Sequence, residues 1–190
     1  MKFNARHLLI LFLILALSFA FGFGFDAVAD GMERRRHPQP SEYADAIARS
    51  AKEFSIPEPI LWATVKCKSN FSSNAVGENG EVGLCGLTVE EFRHVYTEYL
   101  GKEPPDAGIR YDPATSIYCG AAYLSELYER YGVWHTVYVA LFAGTDAVDA
   151  WLHTPENVDS HGRLQNLPRE AEAFAATLEE TVDTYRRLYD

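Results

Sequence analysis

From residue 41 onward the apolar residues recur at steps of three and four. Tyr43, Ala44, Ile47, Ala48, Ala51 and Phe54 form one stripe, with Ser41 placed to cap it, which predicts an amphipathic helix. Pro57 and Pro59 end that run and open another, in which Ile60, Leu61, Thr64 and Val65 share a face with position 68. Periodicity then fails over 70–88, where Asn70, Asn74, Asn79, Gly77, Gly80, Gly83 and Gly86 collect. So many turn formers predict an irregular glycine-rich loop or a small hairpin. A short helix is expected over 88–99 and a loop over 101–112. Asp112-Pro113 is a helix start, and Ile117, Ala121, Leu124, Leu127 and Tyr131 continue as one long stripe until Gly132. Two further helices are expected over 133–143 and 146–152, joined at Gly144, followed by a polar loop over 153–167. A last helix opens at Pro168 with Ala171, Phe174, Leu178, Val182, Tyr185 and Leu188 inward. No internal repeat occurs. The pattern predicts a mostly α fold, one domain over 41–190.

The first 29 residues read differently. Lys2 and Arg6 precede a run, 8–25, that is apolar apart from Ser18, Gly22 and Gly24, and Ala27-Val28-Ala29 closes it. A basic start, an apolar middle and a small-x-small end predict a secretory signal peptide over 1–29. The competing reading is an uncleaved membrane anchor through residues 8–25, a length at the lower limit for spanning a bilayer. Arg34-Arg35-Arg36 just beyond weigh slightly against simple export, because positive charge tends to stay cytoplasmic. Either way the domain is expected outside the cytoplasm, in the periplasm or cell envelope. Residues 30–40, polar and proline-bearing, are expected to be a linker.

Composition narrows the classes. The chain has 190 residues, 47% of them hydrophobic and 23% charged, values that exclude a disordered, collagenous or multi-span membrane protein. The net charge is −10, which argues against nucleic acid as a partner, since counterion release needs a basic surface. No nucleophile elbow, zinc-binding helix, phosphate loop or dinucleotide fingerprint is present, so no metal or cofactor is expected. Cys67, Cys85 and Cys119 fit no zinc spacing. They are expected either as one disulfide with a thiol left over or as small buried apolar groups. His94, His135, His153 and His161 are scattered, and a structural or surface role is expected for each. Trp62, Trp134 and Trp151 lie beside apolar neighbours, which favours core packing over sugar stacking.

Four segments together carry more than the periodicity does: SNFSSNAVGENGEVGLCGL (69–87), DPATSIYCGAAYLSELYERYG (112–132), ALFAGTDAVDAWL (140–152) and LPREAEAFAATL (167–178). In this order and at these distances they resemble the lytic transglycosylases of the soluble type, relatives of goose-type lysozyme that cut the glycan strands of peptidoglycan. The resemblance implies a lysozyme-like fold and a groove for glycan. It also implies a catalytic glutamate at the end of the second helix, immediately before a serine. That serine is Ser69 here, so the acid position holds Lys68. The family's Gly-Leu-Met-Gln run appears as Gly83-Leu84-Cys85-Gly86, its Ala-Tyr-Asn run as Ala140-Leu141-Phe142, and its helix asparagine as Ser116. The candidate binding positions are therefore Lys68, Ser69, Gly86, Ser116, Leu141 and Phe142, and no residue is assigned as catalytic.

A lysine begins near pKa ~10.4 and is a far weaker acid than a carboxylic acid. Beside an oxocarbenium-like transition state its charge repels where a carboxylate would attract. Lys68 is expected instead to interact with its own helix dipole or to pair with Glu78 or Glu81; alternatively its ammonium meets a carboxylate of peptidoglycan. The leading expectation is an exported pseudoenzyme that binds glycan strands or an envelope protein without cleaving. One alternative is an active enzyme with its acid relocated to Glu78, Glu81, Glu90 or Glu91. Another is an anchored helical adaptor whose old groove, filled by Leu141 and Phe142, grips a protein.

Overall fold

The computed structural model describes residues 28–190, so the apolar run 8–25 and its signal or anchor reading lie outside them. The chain divides into two units, residues 1–38 and 39–190. In the first, residues 28–36 are helical where a linker is expected. Glu33 and the three arginines are good helix formers, and the prolines that stop a helix come only at 38 and 40. Among the described residues no helix is long and apolar enough to cross a membrane.

The second unit contains α1 (Ser41–Glu53), α2 (Glu58–Ser69) and α3 (Val89–His94), the last running into a π-helical turn, Val95–Tyr99. A 3-10 turn, Ala107–Tyr111, leads to α4 (Pro113–Tyr131), α5 (Trp134–Ala143) and α6 (Thr145–Leu152). After a 3-10 turn at Pro155–Asn157 the chain ends in α7 (Arg169–Tyr189). Extended pairing among the described residues is limited to isolated bridges, Val76 with Val82, Val82 with Leu87, and Val158 with Leu164. The glycine loop is thus a pinched turn and not a hairpin of full strands.

Local chemistry explains the boundaries. The Asp112 carboxylate accepts from the Thr115 amide at 2.9 Å and caps α4 ahead of Pro113, while Gly132 ends it at φ +68°, a conformation that favours glycine. Thr88 and Glu91 form a reciprocal capping box at the start of α3. Ser41 departs from expectation: Pro40 occupies the cap and Ser41 is the first helical residue, with no side-chain cap bond.

The stripe along α4 is wider than its sequence pattern. Ser116, Cys119, Gly120, Ala122, Tyr123 and Ser125 are buried along with Ile117, Ala121, Leu124 and Leu127, because α1, α2, α5 and the π-helical turn all pack on this central helix. Tyr131, also expected inward, is only partly buried at the helix end. On α1, Ser50 is buried and Ala48 exposed. Helix α7 closes the core against α2 and α5, stacking Tyr185 on Trp62, which is 1% exposed. Trp134 and Trp151 are only partly buried.

The disulfide expected as one possibility for the cysteines is absent: Cys67, Cys85 and Cys119 are all free thiols. Burial pushes the Cys85 thiol up to about 12 and Cys119 to about 11, which fits small buried apolar groups.

Candidate functional site

A cavity of about 200 Å³ opens where the last turn of α2, the glycine loop, the end of α5 and the first turns of α7 meet. Cys67 and Lys68 come from α2, Glu81 and Gly86 from the loop, Phe142 from α5 and Phe174 from α7. Asn70, left-handed at φ +48°, ends α2 immediately after Ser69 and turns the chain into the loop, a conformation asparagine tolerates better than most.

Lys68 is the cation of this cavity. Its Nζ donates to the Leu141 carbonyl at 3.1 Å and lies 5.8 Å from the centre of the Phe174 ring. Leu141 is in the last turn of α5, where carbonyls lack helical partners and the dipole is negative. The ammonium therefore caps α5. It makes no ion pair with Glu78 or Glu81 within 4.0 Å, so the expected salt bridge does not form.

Gly86 makes room for it. At φ +58°, a Cβ on this residue would lie 2.8 Å from Lys68 Cε. The two departures from the expected pattern are thus sterically linked, since a long side chain at 86 and the lysine stem would compete for one space. Behind the wall, Ser116 Oγ, 2% exposed, accepts from the Cys85 amide at 3.1 Å. Ser116 fixes the loop and does not line the cavity. Ser69 is likewise turned away, its Oγ donating to the Val65 carbonyl at 2.9 Å. Leu141 buries its side chain and offers only its carbonyl, whereas Phe142 is 46% exposed and packs on Phe174 at 5.5 Å. Of the six positions proposed from sequence, Lys68, Gly86 and Phe142 line the cavity, and Leu141 touches Lys68 through its backbone.

Two contributors carry no sequence signal of their own role. Phe174 reads as one more inward position of α7, but it sits where the core opens. Arg110 is buried and donates from Nε to the Ala107 carbonyl at 2.9 Å and from NH1 to the Leu87 carbonyl at 2.8 Å. It holds the end of the glycine loop to the turn before α4, although an arginine in a polar loop is ordinarily solvated.

Glu81 accepts from the Asn79 amide at 2.8 Å and from its side chain at 3.2 Å. Partial burial pushes its pKa up. Its own amide, both Asn79 donors and the charge of Lys68 outweigh that and hold it below the usual carboxylate range. A lowered folded-state pKa stabilises the fold at neutral pH, and the contribution is lost as pH falls through that lowered value. Glu81→Gln is accordingly expected to flatten the acid limb of a plot of melting temperature against pH below about 4.5, leaving the neutral region level. An unchanged acid limb would remove Glu81 from this role.

The other glutamates considered as relocated acids lie elsewhere. Glu78 is exposed and is not on the cavity wall. Glu91 closes the α3 capping box, and with Glu90 it lines a separate cavity beside His94, Tyr123 and Glu126.

Residues 45–162 match the family model described as the Transglycosylase SLT domain. The chain belongs to this family. The match contains all six positions proposed from sequence, while Phe174 lies beyond it. Over 105 residues the SLT chain is 27% identical to the membrane-bound lytic murein transglycosylase C of Yersinia enterocolitica, covering 55% of this chain and 28% of that protein. It superposes on the 70 kDa soluble lytic transglycosylase of Escherichia coli with a TM-score of 0.73 and 22% identity, covering 82% of this chain and 25% of that one. For an inactive mutant of the lytic transglycosylase Slt from Pseudomonas aeruginosa the TM-score is 0.70 and the identity 20%, with 82% and 25% covered. The chain thus spans about a quarter of the length of these relatives. The mostly α, lysozyme-like fold expected from the four segments is the fold of this SLT domain.

Proposed function

We propose that this SLT domain is an exported protein that binds the glycan strands of peptidoglycan and does not cleave them. The observation that carries the reading is the groove's one cation and one carboxylate. Lys68 is tied to the end of α5, and Glu81, the carboxylate on the same wall, is held ionised. Cleavage by a general acid requires a proton donor with a pKa near the operating pH, which burial normally supplies by raising a carboxylic acid. Neither group meets that need, and a cation beside an oxocarbenium-like centre works against it.

Binding is supported separately. The cavity is open, with Phe142 on its rim and Leu141 folded into the core, so the groove is not plugged by the two side chains as the adaptor alternative requires. The relatives are named for acting on murein or as lytic transglycosylases. The apolar run 8–25 behind a basic start supports export to the periplasm or envelope. Incubating the full chain with purified sacculi is expected to leave it in the sedimented fraction, with no anhydro-muropeptide released by mass spectrometry. Anhydro-muropeptides from the unaltered protein would overturn the inactive reading. Failure to sediment would favour the adaptor.

A further inference from the structure

A second cavity, of about 360 Å³, lies between α5, α7 and the loop before α7. Partly buried Trp134 supplies its aromatic surface, with Tyr138, one turn on along α5 and 3% exposed, behind it. Tyr128 at 4.4 Å and Tyr138 at 6.0 Å stack on the indole and hold it in place. The polar wall is Arg163 from the loop with Glu179, Asp183 and Arg186 from α7. These charges are already ordered. Arg163 forks onto both Glu179 oxygens at 2.9 and 3.0 Å, buried His135 approaches the same carboxylate at 3.2 Å, and Arg186 reaches Asp183 at 3.2 Å.

Two guanidinium groups and two carboxylates leave the lining with no net charge. A simple anion or cation gains at one member of each pair and loses at the other. A ligand whose groups both donate and accept gains at both, as hydroxyls do. The aromatic wall adds a partner for apolar C–H surface, and the volume falls within the range of small-molecule sites. We propose that this cavity is a second carbohydrate-binding site, taking neutral sugar units. It extends the glycan-binding reading above. Trp134 and Phe142 sit on the same helix, about 12 Å apart along its axis at the usual rise per residue. A glycan strand long enough to reach both sites would gain avidity without any stronger single contact.

The test uses the full isotopically labelled chain in detergent micelles, titrated with tetra-N-acetylchitotetraose and followed by NMR. Saturable shifts are expected at the Trp134 indole. Asp183→Ala and Arg186→Ala change side chains that are 76% and 48% exposed, so neither threatens the core. Each is expected to weaken the Trp134 response by about tenfold, the loss of a charge-assisted hydrogen bond, and to leave the Gly86 signal unaffected. Absence of a saturable Trp134 shift overturns the proposal. Shifts confined to Gly86 and Phe142 also overturn it while leaving the groove reading intact, because sacculus retention judges that reading separately. A Trp134 response to inorganic phosphate but not to the sugar overturns the ligand class.

Discussion

Lys68→Glu is expected to give this SLT domain a glycan-cleaving activity, read as release of anhydro-muropeptides from sacculi. The gain should be about two to four orders of magnitude over the unaltered chain, the usual worth of a positioned general acid. The physical case rests on what already surrounds position 68. The Leu141 carbonyl, 3.1 Å from the ammonium, belongs to the last turn of α5 and carries the negative end of its dipole. An ionised carboxylate there would face a carbonyl lone pair and that dipole. A protonated one could donate to the carbonyl. Both effects raise the pKa of the introduced acid, the direction that a proton donor at neutral pH requires. The shorter side chain also vacates the space beside Gly86 that the Lys68 stem fills. A folded Lys68→Glu variant that releases nothing would show that the acid is not the limiting loss, and would direct attention to Leu141 and Phe142.

Gly83→Ala is expected to destabilise the domain by about 3 kcal/mol and to abolish sacculus retention with it. Gly83 has φ +79°, and a Cβ there would run into the Arg110 carbonyl oxygen and come within 2.8 Å of Ser116 Oγ. The left-handed backbone alone costs a non-glycine residue about 1–2 kcal/mol. Moving the Arg110 carbonyl and breaking the Ser116–Cys85 hydrogen bond adds about 1–2 kcal/mol more. Urea unfolding of Gly83→Ala beside Gly80→Ala separates the two contributions. Gly80 has φ +84° but nothing within 4 Å of its would-be Cβ, so its variant should lose only the backbone part. Equal losses for the two would mean that the contacts behind the groove wall contribute nothing.

These two predictions depend on different levels of information. That position 68 is a lysine before Ser69, that Gly83 sits in a glycine-rich loop, and that α4 lies between Asp112 and Gly132 are all legible from residue identities. Caps, breakers and periodicity act over a few residues, so a local reading reaches them. The same is true of family membership, which rests on four short segments in order. The partner of Lys68 is another matter. Glu78 and Glu81 are the charged candidates near in sequence, yet the ammonium goes to a backbone carbonyl 73 residues away. Every residue has a carbonyl, so no residue type announces which one will face a cavity.

Packing decides the rest of the site for similar reasons. Phe174 and Leu178 fall on one stripe of α7, but only the first borders the groove, because periodicity says which side of a helix turns inward and not where the core stops. Ser116 and Ser69 look alike as polar positions beside the motif. One is buried holding the Cys85 amide and the other is bonded to its own helix, and neither reaches the cavity. Trp134, similar in setting to Trp62, ends on the wall of a second cavity because Arg163, Glu179 and Arg186 arrive there from elements distant in sequence. The sequence by itself determined the helices of residues 41–190, the loop, the family and the absence of a glutamate at position 68. Only the tertiary structure decided which side chains share a cavity and which group accepts from the lysine, since those depend on distances between elements that no local pattern encodes.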